Sequence, residues 1–211
     1  GLVAVGLVIL YRGTTILNFS QGELFMLGPY LTFTLVLMYK QNYELSVLIS
    51  IVAVCMIAWL LFKIIFEKLI DAPHFNQVLV TVALMYVIQG SVRILWGSDI
   101  YFIPPLFGHG SIAVGNVIVT NQELSILIVV TVFTIVFSWF FLKTNAGKVM
   151  RAASESLRGA SLIGINIIHF QSTMWIASAG IAALAGVLVG PIISVTPEMG
   201  GAILLKAFAA M

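Results

Sequence analysis

Long apolar runs separated by short polar knots organise this chain. A helix needs roughly 20 apolar residues to cross the hydrocarbon core of a bilayer. Leu45–Phe66, Phe75–Trp96, Leu124–Leu142 and Ser172–Ile193 meet that length, and Leu24–Tyr39 falls slightly short of it. These runs predict at least five complete crossings. Gly1–Tyr11 and Ala202–Met211 are apolar but half-length, so each reads as truncated or re-entrant. Backbone at membrane depth has to satisfy its own hydrogen bonds, which makes every one of these runs a helix. The expected architecture is an all-α integral membrane protein, a polytopic transmembrane helix bundle forming a single domain over 1–211. The abrupt apolar ends predict a fragment of a longer chain, cut at both ends.

The polar knots orient the bundle. Lys63 and Lys68 flank one connection, Lys143, Lys148, Arg151 and Arg158 crowd another, and no Lys or Arg occurs from Ile94 through Leu142. Basic residues favour the cytoplasmic side of short loops. The connections around Lys68 and from Lys143 to His169 are therefore expected inside, and the loop Gly97–Glu123 outside. Lys40 falls outside and is an exception, while Arg93 sits at the outer end of its helix. The outer loop holds Pro104, Pro105, Gly108, Gly110 and Gly115, which predicts a compact cap built from turns.

Composition agrees with this reading. The chain is 61% hydrophobic and 9% charged, against about 25% charged in soluble domains, and its mean hydropathy is +1.12. A net charge of +2 gives no electrostatic support for binding nucleic acid. Cys55, the single cysteine, lies in an apolar run and reads as a small packing residue. His74, His109 and His169 are scattered over separate loops without metal-ligand spacing, so no metal site is expected. Asn145-Ala-Gly-Lys148 lacks the early glycine and the Ser or Thr of a nucleotide-binding loop, so the chain is not expected to hydrolyse ATP itself. No catalytic set is visible.

The segment 144–169 is far longer than a tight helix connection of roughly 2–8 residues. Val149, Ala153, Leu157 and Ala160 recur at spacings of four, four and three, one apolar face of a single helix. Lys148, Arg151, Glu155 and Arg158 supply its polar side, with Arg151 and Glu155 placed as an i,i+4 pair. Gly164 is placed to end the helix. Such a helix either lies on anionic lipid or docks a soluble partner. The small residues Ala152, Ala153, Gly159 and Ala160 favour docking.

Here the sequence becomes specific. R-A-A-S-E-S-L-R-G-A-S-L-I-G-I-N, continuing through A-A-L-A-G-V-L-V-G, resembles the coupling segment of the branched-chain amino acid permease family of ABC importers. Arg151, Ala152, Glu155, Ala160, Leu162, Gly164, Ile165 and Asn166 carry the match. The resemblance implies that Arg151, Ala152, Glu155, Arg158, Ala160 and Gly164 couple this subunit to an ATP-binding partner. A second match is Asn18-Phe19-Ser20-Gln21-Gly22-Glu23 ahead of an apolar run with Gly28 and Tyr30. Gln21 stands where the family often has His, which argues against a titrating role. The resemblance weakens from Gln41 to Gln122: Lys68-Leu-Ile-Asp71 replaces a more basic pattern, Ala83 stands where Gly is usual, and the outer loop has no recognisable counterpart.

Two readings apply to the amino-terminal motif. Ser20-x-x-Glu23 before an apolar run is the pattern of a capping box. Alternatively, the motif is a helix break at membrane depth, of the kind transporters place at the substrate site. Asn18, Gln21 and Glu23 would then line the substrate pathway. Lys206, in a Lys-Ala-Phe unit that also resembles the family, joins these pathway candidates, with a helix-end role as its other reading. Ser178, Ala182, Gly186 and Gly190 form a small-residue stripe suited to tight helix packing.

The resemblance implies a permease subunit in the bacterial inner membrane, working by alternating access. The implied partners are a second permease subunit, two ATP-binding cassette subunits that hold the ATP, a periplasmic substrate-binding protein and the lipid bilayer. No cofactor is expected in this chain. The implied solute is Leu, Ile, Val or a related small molecule, with urea or short amides as the alternative within the family. An ion-coupled carrier or channel is the rival class, and it predicts acidic or His residues buried mid-span.

Overall fold

The computed structural model describes residues 1–105, 110–114, 117–162 and 164–210. Four helical stretches are long and apolar enough to cross a membrane: Tyr43–Leu69, His74–Trp96, Asn121–Lys143 and Ile167–Ile193. They coincide with the four full-length runs, and the protein is an all-α, multi-pass membrane protein. In chain order the helices are α1 (Leu2–Thr14), α2 (Gln21–Phe33), α3 (Tyr43–Ile64), α4 (His74–Trp96), α5 (Asn121–Lys143), α6 (Asn145–Glu155), α7 (Leu157–Leu162), α8 (Ile167–Ile193) and α9 (Met199–Ala209). The outer loop contributes a hairpin, β1 (Ser111–Val114) antiparallel to β2 (Val117–Thr120). His109, Gly108 and Gly115 lie outside the described residues.

The fifth expected crossing takes another form. Leu24–Tyr39 is divided between α2 and a π-helical turn, Thr34–Met38. Pro29 inside α2 has no N–H to return to Phe25. Beyond it, Thr32 and Thr34 direct their hydroxyls to the carbonyls of Gly28 and Tyr30, at 3.0 and 2.9 Å. These bonds compete with the regular ladder, and the turn widens.

Helix α8 is the axis of the bundle, packed against α1, α2 and α3. Small residues make this possible. A Cβ on Gly186 would lie 2.0 Å from the Phe25 carbonyl oxygen, the acceptor that Pro29 leaves without its helical donor. On Gly28 it would lie 2.7 Å from the Ala183 carbonyl oxygen. Helix α3 buries Ser46, Ser50, Val54, Ala58 and Phe62, one residue per turn, and exposes Leu48, Val52, Met56 and Trp59. From Ser46 to Ala58 the inward stripe holds small or medium side chains, with the aromatic Phe62 at its end, and the outward one is large and apolar, as lipid as solvent requires. Thr32 and Ser50 join α2 to α3 by a 3.0 Å hydrogen bond between hydroxyls. Helix α5 stands at the periphery, with none of its most apolar stretch buried.

The connections sort to two ends. At one, Lys63 and Glu67 share a cleft with Asn166 and His169, and Arg12 lies beside Met150 and Ser154 of α6. At the other, Tyr101 bridges to Val195, Gln89 donates to the Pro197 carbonyl at 3.0 Å, and Gln122 donates to the Leu188 carbonyl at 2.8 Å. The basic connections thus gather opposite the loop that follows Trp96.

Candidate functional site

Two features of the chain are built for more than crossing a membrane. The first is the break between α1 and α2. Thr15 takes a left-handed conformation (φ 60°) and ends α1, its N–H bonding the Tyr11 carbonyl. Five residues then run without helical hydrogen bonds through the bundle interior, and side chains replace those bonds. Asn18, fully buried, accepts from the Ser20 amide at 3.0 Å and the Ser20 hydroxyl at 2.7 Å, and donates to Gln21 Oε1 at 3.3 Å. Gln21 donates to the Ser178 carbonyl at 3.0 Å, and the Ser178 hydroxyl donates to the Gly6 carbonyl at 2.8 Å. Thr81 of α4 accepts from the Phe19 amide and donates to the Leu17 carbonyl, at 3.2 and 3.1 Å. Four helices therefore meet on one polar knot.

This geometry corrects the capping-box expectation at Ser20 and Glu23. The Ser20 hydroxyl is engaged by Asn18, Ser20 makes no side-chain cap bond, and the Glu23 amide bonds the Ser20 carbonyl at 3.1 Å. Asn18 turns the chain from two residues upstream, the local habit of Asn in turns. A capping box does form at Thr120 and Glu123, where Thr120 accepts from the Glu123 amide and the Glu123 carboxylate accepts from the Thr120 amide. The signal, Thr120-Asn-Gln-Glu123 before an apolar run, was present in the sequence.

Glu23 is 1% exposed, and its Oε2 has no hydrogen-bond partner. It packs on the amino-terminal end of α9, where Gly22 and Gly200 meet backbone to backbone. A Cβ on either glycine would come within 2.7 Å of the other's carbonyl oxygen. Lys206, on the same helix, is exposed and borders a separate apolar hollow with Leu2, Val3, Phe25 and Ile126. The structure thus brings Asn18 and Gln21 together with Ser178 and leaves Lys206 apart. Ala182, Gly186 and Gly190 continue from Ser178 along the buried face of α8.

The second feature is the segment from Thr144 to Asn166. The expected single helix is two helices, α6 and α7, broken at Ser156, whose backbone is extended (φ −158°, ψ 109°). Each helix carries its own cap. Thr144 accepts from the Gly147 amide, Ser156 from the Gly159 amide and Asn166 from the His169 amide, all at 3.0 Å. A Ser that can cap a new helix competes with continuation of the old one, which accounts for the break. Gly164, at φ 89°, closes α7: the Ile165 amide bonds the Ala160 carbonyl and the Gly164 amide the Ser161 carbonyl, both at 3.1 Å.

Val149 is half-buried, and Ala153 and Ala160 are buried. Glu155 is exposed, and Ala152 half-buried. The expected Arg151–Glu155 pair is not formed. Arg151 instead donates to the Phe141 carbonyl and holds its guanidinium 5.5 Å from the centre of the Phe141 ring. Phe141 lies on the last turn of α5, and this clamp, together with Gly147 against the same carbonyl, folds α6 back on α5. The side chain of Arg158 lies outside the description. Among the described residues no group of His, Cys, Asp and Glu could hold a metal ion.

Arg93 and Glu198 were not singled out as site residues from sequence. They form an ion pair of 2.8 Å between α4 and the residue that precedes α9. Their separation of 105 positions hides the pair from any local pattern.

A multi-pass helical bundle with an interrupted helix in its core and a capped two-helix segment at its basic end defines a membrane transport component. The chain belongs to the family described as branched-chain amino acid transport system / permease component, whose model matches residues 1–211. It is 27% identical to the high-affinity branched-chain amino acid transport system permease protein LivH of Escherichia coli (strain K12), over 99% of this chain and 72% of that protein. The LivH of Salmonella typhimurium gives the same values. Identity to the permease protein BraD of Pseudomonas aeruginosa is 26%, with the same coverage. No solved structure gives a significant match.

Proposed function

We propose that this chain is a membrane subunit of an ATP-driven importer that moves branched-chain amino acids, or closely related small solutes, across the bacterial inner membrane. Two ATP-binding subunits, a second permease subunit and a periplasmic binding protein complete the assembly. The observation that carries this reading is the α6–α7 segment. It is anchored to the bundle by Arg151 on Phe141 and by buried Ala153 and Ala160, yet presents Glu155 outward. A rigidly attached pair of short helices is what a soluble motor needs in order to move the spans. Arg151, Ala152, Glu155, Arg158, Ala160 and Gly164 are the coupling residues. Asn18, Gln21 and Glu23 line or support the pathway, and Lys206, which borders a separate apolar hollow, is the fourth candidate.

The test is reconstitution of the chain with its ATP-binding partner and binding protein. Uptake of labelled leucine is expected to require ATP, and Glu155→Lys to lower it at least tenfold. A second reading, ion-coupled transport, draws on the buried carboxyl of Glu23. Leucine uptake driven by a proton or sodium gradient with no ATP would favour it and overturn the first.

A further inference from the structure

The Arg93–Glu198 pair sits oddly for a residue pair on a membrane bundle. Both side chains are substantially exposed, 47% and 64%, and Arg93 is followed on α4 by the exposed Ile94 and Leu95. Arg93 lies in the last turn of α4 and Glu198 in the connection before α9, so the pair stands toward the end of the bundle opposite the basic connections, where a solute or another subunit can reach it. The backbone beside them is bare. A Cβ on Gly90, three residues before Arg93, or on Gly201, three residues after Glu198, would meet nothing within 4 Å. Gln89, one turn before Arg93, ties α4 to the Pro197 carbonyl, next to Glu198.

Glu23 lies close to this pair. Its carboxyl carbon would be 3.0 Å from a Cβ on Gly200, two residues beyond Glu198, and its Oε2 is buried without a partner. The cluster thus holds one cation and two carboxyls, with only one contact between opposite charges made.

We infer that Gln89, Arg93, Glu198 and Glu23 form a recognition site for the α-carboxylate and α-ammonium of a zwitterionic amino acid. This rests on the importer reading and narrows its solute to amino acids over urea and amides. The planar guanidinium of Arg93 accepts a carboxylate through two parallel hydrogen bonds. The ammonium, with three donors, replaces Arg93 on Glu198 and supplies Glu23 Oε2 with the donor it lacks. A simple anion meets two carboxyls here, a simple cation meets Arg93, and a neutral amide satisfies neither. Only a solute that carries both charged groups on one carbon completes the set.

The experiment uses the whole transporter, with photo-leucine, a diazirine analogue that keeps both charges. Label is expected on the peptides spanning 86–96 and 197–204. Excess leucine should compete it away, while leucinamide and 4-methylpentanoate, each lacking one charge, should not. Arg93→Gln and Glu198→Gln are each expected to lower labelling and leucine uptake at least tenfold, with melting temperature and co-purification of the ATPase retained. The double variant Arg93→Glu with Glu198→Arg separates recognition from stapling. A staple is restored by the swap, whereas recognition is not, because Glu23 stays in place. Label elsewhere, equal competition by leucinamide, full uptake in the single variants, or rescue by the swap overturns the inference and leaves the importer intact. A wild-type complex that shows no ATP-driven leucine uptake overturns the importer reading and this inference with it.

Discussion

A methyl group at Gly186 has nowhere to go. Its Cβ would meet the Phe25 carbonyl oxygen at 2.0 Å, and that oxygen belongs to backbone that cannot rotate away. Gly186→Ala is therefore expected to push α2 from α8 and to destabilise the chain by about 1–3 kcal/mol, the usual cost of overpacking. Gly90→Ala is its opposite. The site is helical and open, so the substitution is expected to stabilise by about 0.5–1 kcal/mol through helix propensity and a less free unfolded chain. Thermal melting in detergent reads both. Opposite signs for one chemical change at two membrane glycines would show that contact distance, and not glycine content, governs tolerance. Equal losses would contradict it.

At the scale of elements, the caps carry the segment that meets the proposed motor. Ser156 is both the break in the expected helix and the start of α7, through its hydroxyl on the Gly159 amide. Ser156→Ala is expected to cost about 1 kcal/mol of local stability. Faster hydrogen exchange at Gly159 and Ala160, with α8 unchanged, is the readout. Gln77 plays a similar part near the other basic connection. Its amide nitrogen donates to the Leu69 and Ala72 carbonyls at 2.7 and 3.1 Å. Gln77→Leu removes this donor from the half-buried Ala72 carbonyl, while the Leu69 carbonyl keeps the Ala72 amide, a loss of about 1 kcal/mol. Limited proteolysis within 66–73 is expected to accelerate. Unaltered cleavage would mean that water replaces the amide without cost.

For the whole molecule, the two ends make different predictions. In a Cys55→Ala background, Asp99→Cys is expected to react with an impermeant thiol reagent in intact cells, and Lys148→Cys only after lysis. That outcome follows from the basic connections facing the cytoplasm. The reverse labelling would invert the bundle and detach α6 and α7 from any cytoplasmic partner.

The division between pattern and packing runs through particular residues. The four long crossings, the basic end, Gly164 as a helix stop and the break before α2 were legible, because each depends on local composition or on a backbone preference carried by one residue. The inward face of α8 was legible as well, in the small-residue stripe Ser178, Ala182, Gly186 and Gly190, but the rotation of the other crossings was not. Lipid is as apolar as the interior, so Ser46 and Ser50 are a slight signal for the rotation of α3, and contact with α8 and α2 is what separates them from Leu48 and Val52. Ser20 had two available partners in the sequence, and the turn around Asn18 decided between them. The Arg93–Glu198 pair and the stranded carboxyl of Glu23 needed tertiary structure most of all. Charges far apart in the chain come together only when the return of the chain after α8 brings Pro197 and Glu198 against α4 and α9 against α2.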